Sequence, residues 1–187
     1  MSVHGLLLAA GAGSRMGMPK ALVRTAAGEP WLTRGVAVLA GGGCDEVLVV
    51  LGAAAEEALP LLAGTGATAV VAADWADGMS ASLRAGLAAV DGTDADAVVL
   101  TLVDLPDVDA AVVRRLLDPA PTPATLRRAT YDGVVGHPVV IGRDHWAGVA
   151  AETGGDRGAR GYLATRPVES VECGDLATGR DVDVAGG

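Results

Sequence analysis

Apolar residues fall along this chain in short blocks that alternate between two spacings. Residues 3–9 make a short, mostly apolar run that stops at the glycine-rich loop, which predicts a buried first strand. Pro30 opens a helical spacing that continues to Leu39 and stops at Gly41-Gly42-Gly43. Residues 46–51 predict a second strand, 53–62 a helix interrupted by Pro60, and 68–72 a third strand. Within 79–90, Leu83, Leu87 and Val90 recur at helical intervals. Residues 97–103 are the most hydrophobic block and predict a central strand that runs directly into Asp104-Leu105-Pro106. A helix over 108–117 and a proline-rich surface loop over 118–123 follow. Residues 126–131 and 134–141, on either side of an Asp132-Gly133 turn, predict a hairpin-like excursion. A short helix around Trp146, a loop through 154–158, a helix to Leu163 and strands near 168–171 and 182–184 complete the chain.

Strands alternating with helices predict an α/β fold, a three-layer α/β/α arrangement around a mostly parallel, Rossmann-like sheet with a small β excursion. With no repeat and no long linker, residues 1–187 are expected to form one domain. In such folds ligands bind beyond the carboxyl ends of the strands. Two features occupy strand ends here, the glycine-rich loop after the first strand and Asp104 after the central one. They are expected to face the same crevice.

Composition narrows the function. Half of the residues are hydrophobic, but Phe is absent and alanine and valine supply much of that content. No apolar run reaches the roughly 18 residues of a membrane span. The first residues lack a basic segment and read as a strand, not a signal peptide. A net charge of −9 argues against gripping a nucleic-acid backbone, yet leaves room for a locally positive loop that takes a small anion. Cys44 and Cys173 share no metal-ligand spacing and read as buried free thiols of a reducing cytoplasm.

Lys20 is the only lysine, against thirteen arginines, and it ends the segment Gly11-Ala12-Gly13-Ser14-Arg15-Met16-Gly17-Met18-Pro19-Lys20. Glycines let backbone N–H groups approach an anion, and a lysine ammonium is a compact charge suited to one phosphate oxygen. A dinucleotide fingerprint is one reading of Gly11-x-Gly13-x-x-x-Gly17, but Leu51-Gly52 stand where a ribose-binding acid would close the second strand. No Gly-Lys-Ser/Thr follows the glycines, which excludes a P-loop. The remaining reading makes Arg15 and Lys20 a pair of cations bracketing a triphosphate.

The segment from Leu8 to Lys20 resembles the signature loop of the MobA-like nucleotidyltransferases and is most similar to their molybdenum cofactor cytidylyltransferase branch. Further agreement comes from Trp75-Ala76-Asp77-Gly78-Met79-Ser80-Ala81-Ser82, from Asp104-Leu105-Pro106, from Gly136-His137-Pro138 and from Gly155-Asp156-Arg157-Gly158. The resemblance spans nearly the whole chain and implies a fold of the nucleotide-diphospho-sugar transferase type. It implies transfer of CMP from CTP to the phosphate of the molybdopterin molybdenum cofactor, with release of pyrophosphate and use of Mg²⁺. A molybdenum hydroxylase would then receive the product.

By the same resemblance, Arg15, Lys20 and Asp104 are the catalytic candidates, with Asp104 a Mg²⁺ ligand. Ala9, Ala10, Gly11, Gly13, Ser14, Gly78, Met79 and Ser82 are the nucleotide-binding candidates. Ala9-Ala10-Gly11 favours cytidine, through a methyl at Ala10 that crowds a purine edge. Asp181 and Asp183 alternate along the chain, so only one can face the site, and Asp183 is favoured as the second metal ligand. Ser80 competes with Ser82 as a hydroxyl at the start of its helix, and Asp156 and Arg157 are candidate acceptor contacts. No histidine is assigned as a base, because a phosphate acceptor is already ionised near neutrality. Three other readings stay open: transfer to another phosphorylated acceptor, a NAD(P)H-dependent oxidoreductase, and a non-catalytic carrier of the molybdenum cofactor.

Overall fold

The computed structural model describes residues 1–14 and 16–182. Seven strands form one sheet: β1 (Val3–Ala9), β2 (Glu46–Leu51), β3 (Thr68–Val71), β4 (Ala97–Leu102), β5 (Leu126–Tyr131), β6 (Val134–Gly142) and β7 (Glu169–Glu172). Their spatial order is β3-β2-β1-β4-β6-β5-β7, and only β6 runs against the others. The helices are α1 (Trp31–Gly41), α2 (Ala55–Ala58), α3 (Met79–Asp91), α4 (Ala110–Leu116), α5 (Trp146–Glu152) and α6 (Arg160–Ala164).

The apolar runs follow from burial on both faces of the sheet. Leu6 and Leu7 are neighbours on β1 and both fully buried, but they belong to opposite cores. One core packs under α1 and α4 with Leu7, Leu32, Val36 and Val112. The other packs under α3, α5 and α6 with Leu6, Leu83, Leu87 and Leu163.

Three expectations change at the level of local chemistry. The segment expected as one helix over 53–62 is a single α-turn followed by a 3₁₀ turn over Leu59–Leu62, because Pro60 supplies no N–H to an α ladder. The helix expected from 108 starts at Ala110, because the Asp109 carboxylate accepts from the N–H groups of Ala111 and Val112 at 2.8 and 3.3 Å. Residues 126–131 and 134–141 form the expected antiparallel hairpin, and it is part of the main sheet. β6 inserts antiparallel between β4 and β5, pairing Leu100 with Val139 and Val98 with Ile141. No strand includes Val182, whose N–H donates to the Asp104 carbonyl at 3.0 Å; the rest of the strand expected there lies outside the described residues. Among the described residues, no helix is long and apolar enough to cross a membrane.

Candidate active site

β1 and β4 are parallel neighbours, so the loops that leave them emerge side by side. This brings Lys20 to Asp104 across 84 residues of sequence, and the ammonium forms an ion pair with the carboxylate. Both side chains are mostly buried, 20% and 10% exposed. The second oxygen of Asp104, Oδ1, is buried with no hydrogen-bond partner among the described residues. Such an oxygen is costly unless something else supplies it with positive charge or a donor.

The glycine loop is shaped by its own turn. Gly13 sits at φ +62°, and its carbonyl accepts from the N–H groups of Met16 and Gly17 at 2.8 and 3.0 Å. A Cβ at Gly13 would lie 1.9 Å from the Met18 carbonyl oxygen, so the loop depends on glycine there. The loop then enters the 3₁₀ turn Lys20–Leu22 after Pro19.

A cleft of about 420 Å³ opens over these strand ends. Ala9, Ala10, Gly11, Gly13, Ser14, Gly78, Met79, Ser82, Lys20 and Asp104 all line it, so the structure gathers these sequence candidates in one place. Ala10 is itself 5% exposed and belongs to the core under α3, and its carbonyl accepts from Ala53 at 3.1 Å. Arg15 and Asp183 lie outside the described residues. Asp181 is exposed and lines a second, adjoining chamber, not the glycine-loop cleft.

The start of α3 is arranged differently from a bare anion site. Gly78 has φ +102°, and a Cβ there would lie 2.5 Å from the Asp156 carboxylate. That carboxylate accepts from the Met79 N–H at 3.4 Å, so it already meets the partial positive charge of the helix end. Ser80 is hydrogen-bonded to the Thr153 hydroxyl at 2.8 Å and serves the fold, whereas Ser82 faces the cleft. Trp75 forms a wall of the cleft, and Gly52 leaves room for it: a Cβ at Gly52 would lie 2.7 Å from the indole.

A family model for the MobA-like NTP transferase domain matches residues 5–171. The chain belongs to the MobA-like NTP transferase family. A curated relative, the nicotine blue oxidoreductase of Paenarthrobacter nicotinovorans, is 37% identical over 97% of this chain and 92% of its own length. The crystal structure of Rv0371c from Mycobacterium tuberculosis H37Rv is 31% identical, with a TM-score of 0.81, covering 98% of this chain and 94% of that one. A second structure of Rv0371c, in complex with manganese, is 30% identical with a TM-score of 0.75, over 92% of this chain and 89% of that one.

The second chamber of this MobA-like protein holds about 380 Å³ and meets the cleft at Leu8, Met79, Leu102 and Asp156. His137 lines it, partly open to the chamber but closely surrounded. That desolvation lowers the imidazole below its ordinary value, while Asp104 raises and Arg160 lowers it further. The Tyr131 hydroxyl donates to the His137 carbonyl at 2.6 Å and fixes the backbone there. Arg128 also lines the chamber and carries no motif, so motif reading missed it; the available signal was the pair Arg127-Arg128 on a strand whose successive side chains point to opposite faces. Both cysteines are buried and unpaired, and burial followed by Asp45 pushes the Cys44 thiol up to about 12.

Proposed function

We propose that this protein transfers CMP from CTP to the phosphate of a molybdopterin-type molybdenum cofactor and releases pyrophosphate. The observation that carries the reading is the Lys20–Asp104 pair, mostly buried beside a glycine loop, with one Asp104 oxygen left without a partner among the described residues. Attack on an α-phosphorus brings an oxyanion toward a centre already ringed by negative charge, so neutralisation and alignment dominate catalysis.

Lys20 is suited to hold the triphosphate and the charge that grows on the departing pyrophosphate, with Arg15 as its proposed companion. The loop N–H groups from Gly11 to Ser14 supply further donors to phosphate oxygens. Because Asp156 already meets the α3 helix end, that end suits ribose hydroxyls better than another phosphate. Asp104 and Asp183 are the residues proposed to hold Mg²⁺, which would supply Lewis-acid polarisation of the phosphates. The donor chemistry fits, since Mg²⁺ takes oxygen ligands and completes its shell with one or two carboxylates, phosphates and water. The manganese complex of Rv0371c adds support for a divalent cation. A molybdenum hydroxylase is the proposed recipient of the product.

A NAD(P)H-dependent oxidoreductase is the second reading, favoured by the 37% identity to nicotine blue oxidoreductase. It has less support at the site, because β2 ends at Leu51-Gly52 with no acid for a ribose. Incubation with Mg²⁺, CTP and the molybdopterin cofactor tests the proposal. Stoichiometric pyrophosphate and a cytosine dinucleotide product are expected; no pyrophosphate, together with NADPH oxidation in a parallel incubation that holds NADPH and a hydride-accepting dye, would replace the reading with the second one.

A further inference from the structure

β5 carries two consecutive arginines that the sheet treats in opposite ways. Arg127 points to the α4 side and is 4% exposed. Its Nε donates to Glu169 at 2.7 Å and its Nη1 to the carbonyls of Leu116 and Pro119 at 2.6 and 2.8 Å. Arg128 points to the other face, where its register partner is Val139 and the next strand presents Leu100. Those two apolar residues and Leu102 line the chamber floor beside it. The Arg128 Nε is buried, and no described residue accepts a hydrogen bond from it.

Arg128 is half-buried, its Nε is closed off without an acceptor, and the side chain borders the chamber, where an anion would meet it. The fold supplied three acceptors to Arg127 and none to the Nε of its neighbour. Two further arginines, Arg157 and Arg160, stand exposed at the rim, against the carboxylates of Asp156 and Asp181. The Asp156 carboxylate is engaged by Met79. Three arginines against two carboxylates leave the lining one positive charge in excess, in a chain whose net charge is −9.

We propose that Arg128 anchors the anionic group of a second substrate, one flat or apolar face of which rests on Leu100, Leu102 and Val139. This inference rests on the nucleotidyl-transfer reading for the substrate's role, since the chamber opens onto the nucleotide cleft. It adds one feature to the substrate's chemistry: an anionic group at Arg128 beside a flat or apolar face that rests on Leu100, Leu102 and Val139. Arg128 acts by binding and positioning, through a planar fork matched to two anion oxygens.

Calorimetric titration with 1-naphthyl phosphate, 1-naphthoate, 1-naphthol and inorganic phosphate tests this on the full chain. The wild type should bind the two naphthyl anions, with naphthol and inorganic phosphate weaker by about tenfold or more, the scale of one charge-assisted contact. Arg128→Met should reduce the anions to the level of naphthol, and Arg128→Lys should recover part of the loss. Should Arg128→Met not fold, Arg128→Gln reads the same loss. Equal binding by wild type and variant, no binding to the wild type, or competition showing that the anions occupy the Mg²⁺–CTP cleft would overturn the inference. Wild-type stabilisation by Mg²⁺ with CTP, recorded alongside, reports separately on the nucleotide reading.

Discussion

The two halves of the crevice solve the problem of buried charge in opposite ways. At the glycine loop, Lys20 is answered from within the fold by Asp104, and the burden passes to the unpartnered oxygen of that carboxylate. At the second chamber the Arg128 Nε has no such acceptor among the described residues, and its surroundings are apolar. The first half pairs its charges and can exchange them for those of a metal-bound nucleotide. The second half is complete only with an anion from outside. A cation with an internal partner and one without it mark two different kinds of ligand.

The sharpest break in this comparison is Lys20→Ala. It should lower the rate of pyrophosphate release by about 10²- to 10³-fold, the scale of removing one preorganised charge contact, and it should also lower the melting temperature, because the mostly buried Asp104 loses its partner. A near-normal rate would remove Lys20 from the triphosphate. Gly13→Ala should follow in size, because its Cβ meets the Met18 carbonyl at 1.9 Å and the loop must rebuild. Its expected signature is weaker nucleotide binding by about tenfold or more, at a strain cost of about 1–3 kcal/mol, and calorimetry with CTP reads it.

The contrast between the halves also explains what could be read from the chain in advance. The glycine loop is contiguous, so Gly11, Gly13 and Lys20 carry their chemistry in spacing alone, and Asp104 stands where a buried strand ends. The helices and strands before residue 117 follow from apolar spacing, with their ends moved by Pro60 and the Asp109 cap. The second chamber is assembled from β4, β5, β6 and the segment around Arg157; the β5–β6 hairpin is legible at Asp132-Gly133, but the pairing of β6 with β4 is encoded by no local pattern. Arg127 and Arg128 look equivalent in sequence; only their strand faces separate them. Asp181 was paired with Asp183 by spacing, yet it is found at the second chamber, where local alternation had no power to place it.

Stability measurements sharpen the arginine pair. Arg127→Met removes donors from the buried Leu116 carbonyl, the Pro119 carbonyl and the Glu169 carboxylate and should cost about 1–3 kcal/mol by chemical denaturation. Arg128→Met should change stability by no more than about 0.5 kcal/mol, or raise it, because the charge it removes lacks a partner at Nε. Comparable losses in both would make Arg128 a structural residue.

The smallest effect concerns His137. Desolvation holds its folded value below the ordinary 6.5, so the unfolded chain takes up a proton that the folded chain refuses. Its contribution to stability is present above that ordinary value and is lost as pH falls toward the depressed folded one. His137→Gln should flatten the stability profile of that window, measured by urea denaturation, and an unchanged slope would place the titration elsewhere.

The most direct test of the central claim is thermal stability of wild type and Asp104→Asn with CTP, GTP, NADH and NADPH, each with and without Mg²⁺. A ligand at 100 times its dissociation constant stabilises the fold by about 2.7 kcal/mol, a readable shift. The account predicts a Mg²⁺-dependent response to CTP in the wild type that disappears in Asp104→Asn. A metal-independent response to NADPH alone, equal in both proteins, would contradict it.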